Sequence, residues 1–182
     1  MNATNKRSGA IKNLTASGVC LALCMALPFL TGQIPQIGNA LSPMHIPVLL
    51  CGFICGPYYA VVVGATAPLL RYMLFGMPPI MPTGIAMCFE LAAYGIVSGL
   101  LYKLLPKKTA FIYVSLIVAM LSGRVVWGIA RVTLSGVAGV PFTWQLFMSG
   151  AFINAVPGII AHIVLIPLLV IALKKANFLA EH

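Results

Sequence analysis

Acidic residues are almost missing: aspartate and glutamate together number two in 182 residues, and charged residues of either sign make up only 7%. A soluble domain carries about a quarter charged residues. Without that polar coat a chain that is 61% hydrophobic would expose apolar surface far beyond what water tolerates. A disordered tail is excluded too, because disorder needs low hydrophobicity and high charge. Several catalytic signatures are absent as well. There is no Gly-Lys-Ser/Thr phosphate loop, no HExxH and no GxSxG, so none of those routes to ATP, zinc or acyl chemistry is open. A second carboxylate at membrane depth, needed for paired acid–base work or a proton relay, is also lacking. No internal repeat or low-complexity segment is present.

What remains is the pattern of an all-α integral membrane protein with a single membrane domain over 1–182. A transmembrane helix needs about 20 residues. Six would use roughly 120 and leave about 60 for termini and connections. The hydropathy pattern predicts spans near 11–31, 43–56, 58–75, 83–104, 110–135 and 147–173. The second is short and lies between Pro43 and Pro57, which predicts a tilted helix or one joined closely to the third. The five cysteines all sit in apolar stretches, with Cys20/Cys24 and Cys51/Cys55 each four apart on one helix face. Buried reduced cysteine packs as a small hydrophobe, and no metal or cofactor is expected.

Basic residues set the expected orientation. Of 11 lysines and arginines, eight gather outside the spans or at their ends: Lys6, Arg7, Lys12, Lys103, Lys107, Lys108, Lys174 and Lys175. With six spans they all fall on one side, and the positive-inside rule makes that side, and both termini, cytoplasmic. The net charge of +9 therefore reads as a topology and anionic-lipid signal. Nucleic acid is not expected, since no aromatic-interleaved basic groove exists.

Arg71, Arg124, Arg131 and Glu90 are the charged side chains left inside the spans. Each costs about 2.5–3.5 kcal/mol at a helix centre without help. Snorkelling to the interface accounts for Arg71 more readily than for Arg124, and one carboxylate cannot neutralise three guanidinium groups. Arg124 and Arg131 are seven apart with Trp127 between them, which places all three on one helix face. Thr83, Met87, Glu90 and Tyr94 form a similar stripe, and the sixth span adds Asn154 and, deeper, His162. The expectation is an outward-facing polar and aromatic pocket with surplus positive charge, suited to a small anionic molecule with an apolar part. His45 either touches that ligand or caps its helix, and His162 reads as a hydrogen-bonded core residue.

The segment Thr31–Pro43 (TGQIPQIGNALSP) has turn chemistry. Gln33, Gln36 and Asn39 in it could bond a ligand, so it reads as either a lid or a plain connector. GMPPIMP at 76–82 is a stiff turn on the same side. Gly18, Ala22 and Ala26 recur every four residues. Such a small-residue stripe serves either internal packing or docking of another membrane protein.

The run Ser42-Pro43-Met44-His45-Ile46-Pro47-Val48-Leu49-Leu50 leading to Gly56-Pro57-Tyr58-Tyr59, together with FGMPPIMPTGIAMCFELAAYGIVSGLLY at 75–102, resembles the substrate-binding S components of energy-coupling factor (ECF) transporters. The resemblance implies an ABC importer of the prokaryotic plasma membrane, in which the S component binds a vitamin from outside under a loop-one lid. It would then topple in the membrane against a transmembrane coupling subunit served by two ATPase subunits. It also implies a coupling contact through AxxxA on the first helix, which Ala22 to Ala26 matches. No ligand residue is carried over from the family. The pocket's charge favours a carboxylate or phosphate ligand, pantothenate first, with riboflavin, a pyridoxine-type vitamin or another heterocycle as alternatives. Two rival classes are an intramembrane enzyme using Glu90 and a structural subunit whose arginines pair with lipid headgroups.

Overall fold

The computed structural model describes residues 3–30, 40–137, 139 and 141–176, and among these the regular structure is entirely helical. Helix α1 (Ala3–Leu30) is followed by α2 (His45–Cys55), α3 (Pro57–Phe75), α4 (Ile85–Leu104), α5 (Thr109–Val137), the short α6 (Trp144–Met148) and α7 (Val156–Lys175). Five-residue π-helical turns, Ile80–Gly84 and Ser149–Ile153, lead into α4 and follow α6.

Local chemistry explains the breaks. Gly56 takes φ +86° between α2 and α3, a conformation glycine reaches without strain. Pro57 then opens α3 at a position where a missing N–H costs nothing. Gly76 ends α3 in the left-handed region, its N–H donating to the Tyr72 carbonyl at 2.8 Å, a usual helix stop.

Five segments are long and apolar enough to cross a bilayer: Arg7–Leu30, Pro57–Phe75, Ile80–Leu104, Thr109–Val137 and Trp144–Lys175. The predicted second span corresponds to α2, whose 11 residues cover about 16 Å of a hydrocarbon core about 30 Å thick. The predicted 147–173 span is interrupted. A turn at Asn154–Ala155 separates the π-helical turn from α7, with the Asn154 N–H bonding to Ser149 O at 2.8 Å.

Helix α4 is the hub, packing on α2, α3 and α5. Its contact with α3 runs backbone to backbone: a Cβ on Gly64 would lie 2.5 Å from the Leu91 carbonyl oxygen, and one on Gly95 would lie 2.7 Å from Ala60. Small residues permit such an approach where apolar burial supplies no drive between helices. Large apolar side chains such as Val19, Val118, Ile129 and Leu168 face outward, as a lipid-facing surface requires. The two ends of the bundle differ. Lys174 Nζ donates to the Lys107 carbonyl at 2.7 Å, joining the end of α7 to the α4–α5 connection. Arg71, Thr83 and Arg131 lie towards the other end.

The small-residue stripe on α1 does not serve internal packing. Gly18, Ala22 and Ala26 are all exposed, and a Cβ on Gly18 would meet nothing within 4 Å. Gly95→Val should lower the unfolding free energy by about 1–3 kcal/mol through overpacking, whereas Gly18→Val should leave it unchanged. Thermal unfolding of the purified protein checks both; equal melting of the Gly95→Val and wild-type proteins would refute the tight α3–α4 crossing.

Candidate functional site

Glu90, in the second turn of α4, is buried and gathers side chains from α2, α5 and its own helix. Arg124 Nη1 on α5 donates to Glu90 Oε1 at 2.9 Å, and the Tyr94 hydroxyl, one turn along α4, donates to the same oxygen at 3.0 Å. His45 Nε2, from the first residue of α2, stands 3.4 Å from it. That is ion-pairing distance without hydrogen-bond geometry, so this nitrogen has no hydrogen-bond partner. His45 Nδ1 lies 3.1 Å from the Ser42 carbonyl. His45 packs edge-on against Tyr94, with ring centroids 5.2 Å apart, and stacks on His162 of α7 at 5.9 Å. His162 Nε2 is also buried without a partner.

The Cβ of residue 45 sits inside the bundle because the chain ahead of α2 runs against α7. A Cβ on Gly158 would lie 2.5 Å from the Ala40 carbonyl oxygen. The short length of α2 thus has a consequence for the site: its N-terminal residue begins at the level of Glu90 rather than at the rim.

A second group lies further along α5. Arg131 Nη1 donates to Thr83 Oγ1 at 2.6 Å, its guanidinium sits 5.9 Å from the Phe142 ring, and its Nε is buried with no partner. Trp127 meets Phe142 edge-on at 5.9 Å and stacks on Phe147 at 6.2 Å. Arg131 and Arg124 are two turns apart on α5, about 10 Å along its axis.

Over this same chain a family profile described as "ECF transporter, substrate-specific component" matches residues 12–173. The protein belongs to the ECF transporter substrate-specific components. No curated protein and no solved structure gives a match. Membership makes the chain a multi-pass membrane subunit that binds a small substrate and works with a membrane coupling subunit and ATPases. The expected reading as a transporter subunit, not a typical enzyme, agrees with it.

In this substrate-specific component the residues singled out from sequence divide into groups. Glu90, Tyr94, Arg124 and His45 come together in one cluster, and Trp127 and Arg131 line the neighbouring one. Arg71 does something else: its Nη1 donates to the Met25 carbonyl at 3.1 Å and its guanidinium lies 5.7 and 5.4 Å from the Phe29 and Phe75 rings, tying α3 to α1. Asn154 is exposed in the turn before α7. Gln33, Gln36 and Asn39, with most of the expected lid, lie outside the described residues. His162 proves more than an isolated core histidine, since it stacks on His45. Phe142 and Phe147 had a readable signal, the aromatic density of PFTWQLF at 141–147, but Phe142 lies before the predicted sixth span and Phe147 only at its first residue.

The expected surplus of free arginine is therefore smaller than three. Arg124 is spent on Glu90 and Arg71 on a carbonyl and two rings, leaving Arg131 with an open donor. Breaking a buried pair by removing one partner costs about 3–5 kcal/mol, while replacing both by apolar residues is often neutral. Glu90→Gln should therefore strongly destabilise the S component, and Glu90→Leu combined with Arg124→Met should recover most of the loss. Melting temperatures of the single and double variants give the comparison; a double variant as unstable as the sum of both singles would contradict the pairing.

Proposed function

We propose that this S component captures a small, water-soluble vitamin carrying one carboxylate or phosphate, with pantothenate the first candidate. The observation that carries the reading is the unpartnered Arg131 Nε beside Thr83 and an aromatic wall. A guanidinium binds carboxylate or phosphate with directional, charge-assisted bonds. One open arginine suits a single anionic group. The unpartnered Nε2 of His162 suits a hydroxyl or amide group on the rest of the ligand, about two helical turns deeper, with His45 stacked behind it.

Glu90 acts in this reading as the anchor that holds Arg124, Tyr94 and His45 in place. The residues 31–43 close over the bound vitamin, with Gln36 and Asn39 reaching it, and Asn154 contributes from the rim, while Arg71 stays committed to α1. The chain crosses the prokaryotic plasma membrane six times, with α2 as the short second span, and both termini are cytoplasmic. The exposed Gly18–Ala22–Ala26 stripe is where the coupling subunit docks, bringing the two ATPases whose phosphate loop this chain lacks. The Trp127–Phe147 stack favours a second reading, a flat heterocycle such as riboflavin or a pyridoxine-type vitamin.

Ligand-dependent thermal stabilisation of the purified chain separates these. Saturation at 100 times the dissociation constant adds about 2.7 kcal/mol. Pantothenate should stabilise the wild type, and Arg131→Gln should weaken its binding about tenfold or more, a loss of about 1.4 kcal/mol, measured against the variant's own ligand-free melting because the bond to Thr83 is lost as well. Stabilisation by riboflavin that is indifferent to Arg131→Gln would favour the heterocycle. Stabilisation by a cation such as thiamine would overturn the charge argument.

A further inference from the structure

Among the described residues, one cavity lies well away from Glu90. It has a volume of about 200 Å³ and lies at the opposite, lysine-rich end of the bundle, between Asn13 of α1, Tyr58 and Tyr59 at the start of α3, Tyr102 and Lys103 at the end of α4, and Lys107 in the α4–α5 connection. Lys107 Nζ donates to the Tyr102 carbonyl at 2.5 Å and sits 3.9 Å from the Tyr102 ring centroid. Lys174 is bonded to the Lys107 carbonyl, which brings a further ammonium group to the same spot. Partial burial and the Lys174 charge both push the Lys107 pKa below its ordinary value, as expected where like charges crowd.

These cations lack a protein counter-charge among the described residues. Glu90 is the sole acid there, and it is committed to Arg124 near the middle of the bundle. The walls are amphipathic rather than purely polar: tyrosine rings present flat apolar faces with a hydroxyl at the tip, the residue type found at membrane–water boundaries. From the cavity, exposed apolar rows lead towards the middle of the bundle, Tyr58 and Val62 on α3 and Leu104, Leu100 and Ile96 on α4, each at helical spacing of four. The first turn of α3 forms part of the wall, and the positive end of that helix adds to the same field.

We propose that this cavity is a specific site for the phosphate headgroup of an anionic phospholipid, held by Lys103 and Lys107 with its chain along the α3 or α4 row. A free inorganic anion would gain from the lysines but not from the apolar rows, and the rows distinguish this site from the diffuse attraction that any basic membrane face exerts.

The test uses the full-length protein, with lipid retention read by native mass spectrometry and by melting in nanodiscs of phosphatidylcholine with or without phosphatidylglycerol. Phosphatidylglycerol should bind in preference to phosphatidylcholine, and Lys103→Gln/Lys107→Gln should weaken it about tenfold or more. Lys108→Gln/Lys175→Gln, the same change in charge outside the cavity, should leave binding within about twofold. Asn13→Phe fills the cavity without touching a charge and should displace the lipid as well, which keeps the test open should the lysine pair impair folding. Equal losses in both lysine pairs would reduce the effect to diffuse electrostatics. Displacement by millimolar inorganic phosphate would assign a free-anion site. No preference for phosphatidylglycerol, with the lysine pair needed only for binding the coupling subunit, would assign the cavity to a protein partner. Each of these three results overturns the proposal.

Discussion

A carboxylate kept from water must be met by positive charge and hydrogen-bond donors or it will not stay ionised, and Glu90 is where this requirement falls. Its Oε1 receives Arg124 from α5 and Tyr94 from its own helix, with His45 of α2 close by. Removing that oxygen would leave a guanidinium and a histidine buried without purpose. The relation of α2, α4 and α5 therefore hangs on one atom, and α7 joins through the stacking of His162 on His45. A purely apolar interface between these helices would pack as well in several registers, because lipid offers the same apolar environment as a neighbouring helix. The polar cluster admits far fewer.

That anchoring leaves the protein two further polar regions, one towards each end of the bundle. Towards the far end, Arg131 keeps an open donor among aromatic rings. Towards the lysine end, a cavity is lined by Lys103 and Lys107 among tyrosines. A substrate-binding membrane subunit with partners elsewhere for energy needs both: a place to hold cargo, and a surface that fixes its posture relative to lipid and to the subunit that drives it. The small-residue stripe of α1, exposed along the outside of the bundle, fits the second duty.

Much of the fold was legible. The positions of α1, α3, α4 and α5 follow from apolar runs of spanning length, and their ends from Gly56-Pro57, Gly76 and the proline-rich turn before α4. The depth of α2 was not legible, because an apolar run of 11 to 14 residues carries the same hydropathy whether it completes a crossing or begins inside. The break at Asn154 had a faint signal, Asn154 followed by Pro157 at a helix start, but the hydropathy of the surrounding run stays high enough to read as one span.

Composition and spacing by themselves determined that the chain is a helical membrane protein, which residues are charged at membrane depth, and that Arg124, Trp127 and Arg131 share a helix face, since these follow from hydrophobicity and the period of one helix. Which charges meet was decided only by the tertiary structure. Pairing depends on the packing of different helices, whose azimuth and depth no single-helix pattern encodes. So Arg124 found Glu90, Arg71 turned to a carbonyl of α1, and three apparently equivalent arginines became one anchor, one strut and one open donor.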